Sequence, residues 1–452
     1  MDSAGMTRPD APSRDALAPN ATEVAGTEGP GAPRVSRRAA IGAAVAVVGA
    51  AALAAVARDG IAQGIGAKGA APTPAAGDSV VVPPDATRVP GMASQPLGAR
   101  SPFAHPSLAP TGVTTGSSFT PLQDLTGTIT PADLHFQRHH NGIALIDPAA
   151  YALVVHGLVD RAITFSLDDL KRFPAVTRTH FVECSGNGRA AYRAPKREMT
   201  PQVVDGLTSN SEWTGVPVST LLREAGVQRG ASWVLAEGGD AAVLSRSVPL
   251  AKMLDDALIA YAQNGEPLRA PNGYPARLLL PGYEGNMNIK WVRRLKLIDQ
   301  PNMSRDETSK YTDPLPDGTA RQFSFVLDAK SIITAPAYPA RLHGAGWWPI
   351  SGLAWTGRGR ITRVDVSTDG GRSWNAAELL NPPQPNAHVR FQTMWKWDGH
   401  AATIMSRAVD ETGYVQPTLE EFRRVRGAGT DFHFNAIRSW IVEPDGGVFF
   451  GG

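Results

Sequence analysis

One cysteine in 452 residues sets the first limit on this chain. It rules out an intramolecular disulfide, a zinc site built from several thiolates, and a covalently attached c-type haem, which needs a C-x-x-C-H pair. The fold must then be held by burial of apolar surface, and the length suits two ordinary domains better than one compact core. With 42% hydrophobic residues, 19% charged residues and a formal net charge of +2 at pH 7, the composition is that of a soluble globular protein without electrostatic bias. No basic run is interleaved with aromatics, so nucleic acid is not an expected partner. If the one cysteine, Cys184, does chemistry, something other than a second thiol must complete its site.

The start of the chain reads as an address. Ser36-Arg37-Arg38 precedes an uncharged run, 39–57, made mostly of Ala, Val and Gly, and Ala55-Val56-Ala57 supplies a small-x-small cleavage pattern. This is a twin-arginine export signal in outline, with Ala40 where a Phe is usual, and it places the mature protein in the periplasm. The alternative is an uncleaved anchor, because the run is just long enough to span a bilayer. Cleavage is the preferred reading, since an Ala- and Gly-dominated run gains little on entering lipid. Residues 58–118, rich in Ala, Pro, Gly and Ser and without sustained periodicity, read as a disordered linker.

Beyond the linker, short β-rich runs at 151–155, 232–236 and 276–280 alternate with helical patterns at 167–172 and 218–225. That mixture predicts an α+β domain over 119–318 whose loops carry the special residues. The last third, 319–448, changes character. An alternating run at 360–366 breaks at Asp369-Gly370-Gly371 and resumes at Ser373-Trp374, a hairpin signal, and strand-like segments follow at 389–397 and 403–409. A β-sandwich of immunoglobulin type is the simplest reading, without the Cys-Trp-Cys signature of antibody domains. No repeat at a solenoid period is present.

Three loops concentrate chemistry. In His180-Phe181-Val182-Glu183-Cys184-Ser185-Gly186-Asn187-Gly188-Arg189, a β-like run delivers the cysteine into a turn of small residues, with an arginine five positions on. A lone cysteine is more often an inert buried hydrophobe. Here the small residues allow close approach of a bulky ligand, Arg189 offers a charge for an anion, and a single soft thiolate suits a metal whose other ligands come with an organic cofactor. The second loop, Phe136-Gln137-Arg138-His139-His140-Asn141-Gly142, reads either as part of a metal site or as a polar loop. The third, Asn272 to Arg277 followed by Pro281-Gly282-Tyr283-Glu284-Gly285-Asn286 and Met287 to Trp291, joins a buried strand to a Gly-rich turn that ends in a cation, an outline anion cradle.

In this order the three loops resemble the sulfite oxidase family of molybdenum enzymes, over a stretch from about Leu122 to Trp440. The resemblance implies that Cys184, in a C-x-G-N-x-R loop, is the one protein ligand to molybdenum beside a pyranopterin dithiolene. It implies that Arg189 binds substrate and that Phe136, Arg138 and His140 touch the cofactor and the pocket. It carries further pterin contacts to Asp240, Asn272, Arg277, Asn288, Ile289 and Lys290, although vertebrate and plant members have a histidine where Asn272 stands. It places Tyr311 as the active-site tyrosine and Arg426 as a third pocket arginine. Its implied architecture is a sulfite oxidase-type molybdopterin-binding domain at 119–318 and an immunoglobulin-like β-sandwich dimerisation domain at 319–448.

Within the family the phrases Gly127-Thr128-Ile129-Thr130-Pro131 and Glu307-Thr308-Ser309-Lys310-Tyr311-Thr312-Asp313 resemble the sulfane dehydrogenase branch of the bacterial sulfur-oxidising system. That branch works with a separate c-type cytochrome, which agrees with a chain that cannot attach such a haem itself. The implied reaction is oxygen-atom transfer to sulfane sulfur on a carrier protein during thiosulfate oxidation, by a homodimer, with electrons passed to a cytochrome c. Arg138, Arg189 and Arg426 would hold anionic oxygens by charge-assisted forks. Rival readings are a dehydrogenase of free sulfite, a cofactor-free assembly subunit, and, further off, a peptide-methionine sulfoxide reductase, whose kind lacks the C-terminal β domain.

Overall fold

The computed structural model describes residues 97–452, so the expected export signal and residues 58–96 of the expected linker lie outside the described residues. The catalytic half is built on two five-stranded sheets. In the first, Val176–Glu183, Thr208–Pro217 and Leu258–Gln263 run antiparallel, and the last of these also pairs with Glu266–Pro267 and with Arg277–Leu279. In the second, the order is Ile163–Phe165, Leu153–Gly157, Val292–Ile298, Trp233–Gly238 and Ser245–Pro249, antiparallel except where Leu153–Gly157 runs parallel to Val292–Ile298.

The helices expected at 167–172 and 218–225 form as Leu167–Arg172 and Val218–Ala225. The first starts at a capping box in which Ser166 Oγ accepts from Asp169 N at 3.1 Å and the Asp169 carboxylate accepts from Ser166 N at 3.0 Å. The second buries Val218, Leu221, Leu222 and Ala225, the spacing that puts one face of a helix into a core. It meets Leu153, Val155, Val234 and Leu295 there.

The C-terminal half is a sandwich of two sheets. One carries Lys330–Ala335, Gly346–Trp355, Val389–Trp397 and Glu378–Leu379; the other carries Asn375–Ala376, Ile361–Ser367, Ala402–Asp410, Ser439–Val442 and Val448–Phe450. The expected hairpin is present: Asp365 pairs with Ala376 and Val366 with Asn375. Its turn holds because Gly370 and Gly371 take φ of 74° and 88°, which only glycine adopts cheaply, while the Asp369 carboxylate accepts from Ser373 N at 2.9 Å and from Ser373 Oγ at 2.6 Å.

One feature differs from the sequence expectation. Residues 109–118 do not all belong to a disordered linker: Ala109–Pro110 and Gly116–Phe119 form strands, and the second pairs antiparallel with Gln137–His139, Ser117 opposite Arg138. A small residue is needed where that strand begins, since a Cβ on Gly116 would come within 2.9 Å of Gly112 N. The two expected domains share one core: the sandwich core around Ile350, Trp355, Phe391 and Trp440 continues into Leu122, Phe181, Met199 and Val204 of the preceding half.

A polar knot crosses that seam directly behind the cysteine. Lys330, buried at 1% exposure, places Nζ 3.0 Å from Glu183 Oε1 and 2.6 Å from Asp205 Oδ1. Asn187 Nδ2 donates to Glu183 Oε1 at 2.8 Å, and Trp355 Nε1 donates to Glu183 Oε2 at 2.6 Å. Removing the cation leaves the buried Glu183 carboxylate without a charged partner and Asp205 with only Arg438, whose Nε lies 3.5 Å from Oδ2. Lys330→Met is therefore expected to lower the unfolding free energy by about 3–5 kcal/mol, read from denaturant melts at neutral pH. A loss under about 1 kcal/mol, the range of a surface pair, would show the knot is not structural.

Candidate functional site

Cys184 stands one residue past the end of Val176–Glu183, where the strand turns into the short helix Arg189–Arg193. Its amide N donates to Leu207 O at 2.9 Å and its carbonyl accepts from Asn187 N at 2.9 Å, so the loop backbone is fixed on both sides of the thiol. Two glycines are required here. Gly188 has φ of 90°, and a Cβ on Gly285 would come within 2.7 Å of Glu183 O and 3.1 Å of Cys184 Cα. The Gly-rich turn of the third loop thus packs against the cysteine loop, and Asn286 Nδ2 donates to Ser185 Oγ at 3.1 Å.

The thiol sits between two chambers. The deeper is lined by Phe136, Arg138, His140, Cys184, Asp240, Asn272, Arg277, Asn288, Ile289 and Lys290, all ten of the expected cofactor contacts, together with Tyr311. The outer chamber is wider, opens to solvent, and shares Arg138, His140, Cys184 and Tyr311 while adding Arg189, Asp431 and Phe432.

The side chains divide sharply by what remains free on them. Lys290 Nζ donates to Arg138 O at 3.1 Å, Pro271 O at 3.0 Å and His139 Nδ1 at 3.0 Å, which engages all three of its protons. Asn288 Oδ1 accepts from Leu280 N, and its Nδ2 donates to Tyr283 O and Glu284 O. Asn272 donates both amide hydrogens, to Ala132 O at 3.1 Å and Gln263 Oε1 at 2.9 Å, and keeps only its carbonyl oxygen for a ligand. These groups shape the chamber more than they reach into it. Arg277 uses its two terminal nitrogens on Asn272 O and Asn288 O, but its buried Nε has no partner among the described residues, and neither has Asn286 Oδ1. Buried polar atoms left unpaired against a cavity are costly unless something fills it.

Burial holds the Cys184 thiol above its ordinary value, and the Gly186 amide, Arg138 and Arg189 offset only part of that, so a bound metal must supply the rest of what makes it a thiolate. His140 Nε2 lies 3.0 Å from Tyr311 Oη. Burial, then Arg138 and two lysines, hold His140 down at about 4, and burial raises the Tyr311 phenol, so both partners are neutral near pH 7. Arg138 is fixed by donation to Gly116 O, on the strand that sequence composition assigns to a linker. Arg189 is half exposed, with Nη2 donating to Asp431 O at 2.8 Å and its guanidinium 5.3 Å from the Phe432 ring centre.

Arg426 is the expected site residue that the structure does not bring to either chamber. It ends the helix Leu419–Arg426, and its guanidinium turns to Asp328 Oδ2 at 3.1 Å and Asp313 Oδ2 at 3.7 Å. Two buried carboxylates outbid a pocket for that charge. Arg426→Gln is accordingly expected to lower the melting temperature and leave anion inhibition unchanged. A raised KM with an unaltered melt would return Arg426 to the pocket.

Sequence reasoning also missed a buried charged layer behind the tyrosine. Arg246, at 0% exposure, lies 5.0 Å from the Tyr311 ring centre and 3.6 Å from Glu284 Oε1, and His433 Nε2 lies 3.5 Å from Glu284 Oε2. No local pattern marks Arg246 within Ser245–Pro249 as fully buried. Burial pushes the Glu284 carboxyl from 4.5 up to about 7, against the pull of Arg246 and the Asn286 amide. A carboxyl that holds its proton more tightly when folded contributes stability that is fully present below its unfolded value and lost as pH rises through its folded one. Between about pH 5 and about pH 8 the melting temperature of Glu284→Gln is expected to fall less steeply than that of the native protein. Equal slopes would remove Glu284 as a source of that dependence.

Among the described residues no group of three or more His, Cys, Asp or Glu is arranged to hold a metal ion. A metal at Cys184 must therefore bring its remaining ligands with it, and the chamber beside the thiol, with its unpaired Arg277 Nε and Asn286 Oδ1, fits an organic cofactor that does so. Comparison with known proteins defines the class. Residues 140–305 match the oxidoreductase molybdopterin binding domain, and residues 321–439 match the Mo-co oxidoreductase dimerisation domain. The chain is 30% identical over 371 residues to mitochondrial sulfite oxidase of Rattus norvegicus, covering 76% of this chain and 68% of that one. It is 29% identical to the NADH nitrate reductase of Ulva prolifera, covering 71% of this chain and 41% of the other. The crystal structure of the sulfane dehydrogenase SoxCD from Paracoccus pantotrophus superposes with a TM-score of 0.79 at 44% identity, covering 82% of this chain and 97% of that chain. The chain belongs to the sulfite oxidase family of molybdenum oxidoreductases, and membership implies Mo-molybdopterin as its cofactor.

Proposed function

We propose that this protein oxidises the sulfur of an anionic substrate presented on a carrier protein, as in the sulfane step of thiosulfate oxidation, and passes the electrons to a c-type cytochrome. The observation that carries the reading is the position of Cys184 on the wall between a deeper, cation-lined chamber and a wide chamber open to solvent. Free sulfite needs little of that outer room, whereas a substrate tethered to another protein needs a broad approach. The 44% identity to a sulfane dehydrogenase over 82% of the chain supports the same substrate class. We further propose export to the periplasm by the twin-arginine route and a homodimer formed through the 321–439 domain, as the name of that domain family suggests.

In this reading Cys184 holds the metal through its thiolate, which Arg138 and Arg189 stabilise. Bound there, a molybdenum pterin supplies oxygen-atom transfer and two-electron redox chemistry. The protein positions and charges. Arg138, held by its strand, and Arg189, half exposed at the mouth, bind substrate oxygens, and a guanidinium keeps its charge at any working pH. Tyr311 keeps its proton and, paired with His140, is a neutral hydrogen-bond group at the shared wall, able to orient an oxygen without adding charge. Arg246 lies behind the ring, 5.0 Å from its centre.

The competing reading, oxidation of free sulfite, is favoured by the similarity to sulfite oxidases. Assaying the purified protein with cytochrome c, on free sulfite and on a thiosulfate-charged carrier protein, separates the two. Faster turnover on free sulfite sinks the carrier reading. Cys184→Ser is expected to abolish turnover on either substrate while leaving a folded chain that still contains pterin, and normal turnover in that variant refutes the ligand assignment. Metal analysis of the native protein is expected to give about one molybdenum per chain, and none would favour a non-catalytic assembly subunit.

A further inference from the structure

His135 immediately precedes the second loop and is absent from the contacts that resemblance carries over. It is buried at 2% exposure and lines the deep chamber. Its ring stacks on Phe136 at 5.1 Å and meets Trp213 edge-on at 5.7 Å, so its orientation is fixed by packing. His135 Nδ1 lies 2.9 Å from Phe136 O. A carbonyl can only accept, so Nδ1 carries the ring proton and Nε2 carries a lone pair. That Nε2 is buried and has no partner among the described residues.

The same Trp213 ring lies 5.0 Å beneath the Arg277 guanidinium, whose Nε–H is also buried and unpaired. One unfilled acceptor and one unfilled donor, both on residues that line the chamber, are therefore packed against a single buried indole. The pyrimidinone edge of a pterin offers the complementary pair, N–H donors beside a carbonyl acceptor.

We propose that His135 is a cofactor-binding residue, its Nε2 accepting a hydrogen bond from a pterin N–H next to the donor of Arg277. The proposal rests on the chamber being the pterin site. It assigns the imidazole contact to the residue before Phe136, while Asn272 offers only a carbonyl oxygen. Burial, with Arg277 and Lys290 nearby, holds His135 down at about 3, so the acceptor persists at any pH at which the protein works.

The test compares release of molybdenum and pterin from the holoenzyme in mild denaturant, metal by mass spectrometry and pterin by fluorescence after oxidation. His135→Phe keeps the stacking and the volume but removes the acceptor, and is expected to release both about tenfold faster than the native protein, the size of one unmade buried hydrogen bond. His135→Gln, which can place a carbonyl oxygen near the Nε2 position, is expected to recover most of the retention. His135→Met serves in place of the aromatic variant if that does not fold. Native-like release from the apolar variant overturns the proposal, as does a Gln variant that loses cofactor as fast as the apolar one. A native protein that contains no pterin would instead overturn the reading of the chamber.

Discussion

The ammonium of Lys330, shared by two carboxylates that see no solvent, is the contact on which the geometry of the thiol loop depends. Glu183 is the residue before the cysteine, Asp205 ends the helix Pro201–Asp205, and Lys330 opens the first strand of the sandwich. Three elements far apart in sequence are thereby pinned to one point. An unpaired charge at that depth would cost several kcal/mol, so the elements cannot drift apart without a large penalty. Gly188 and Gly285 then let the cysteine backbone lie against its neighbours closely enough for the thiol to stay on the wall between the chambers.

The deep chamber separates shaping from binding. Lys290 and Asn288 have all their side-chain donors engaged by backbone or ring atoms of the protein, and so act as struts between loops. Arg277 is a strut at two nitrogens and open at the third. Positive charge is supplied by arginines, which stay ionised under burial better than a lysine does: burial lowers Lys290 well below its ordinary value, while Arg277 is held at about 10. The site can thus remain cationic without water.

Local signals made part of this legible. The helix at 167–172 is announced by Ser166 and Asp169, whose capping box needs no tertiary help, and the hairpin after 361–367 by Asp369-Gly370-Gly371. Nine positions carried over from the three loops meet in one chamber, with Asp240 from outside them, because each loop is a short segment whose order follows from the chain. Arg426 was misplaced for the opposite reason. Its partners, Asp313 and Asp328, lie about a hundred positions upstream, and nothing near Val425-Arg426-Gly427 signals that two buried acids will claim the guanidinium. The strand Gly116–Phe119 was hidden by a composition shared with true linkers, since small residues suit both a flexible chain and a strand that must approach closely.

By itself the sequence determined the chemistry available: one thiol, arginines at fixed offsets from it, glycines in the loops around it, and a change from mixed to β-rich patterning in the last third. These are properties of residue type and spacing, and they survive without coordinates. Only the tertiary structure decided which donors are left over for a ligand, that the two halves share one core, that Arg246 and His135 stand beside the site, and that Arg426 does not. The reason is that hydrogen-bond saturation and desolvation are set by neighbours brought from anywhere in the chain, and those neighbours exist only once it has folded.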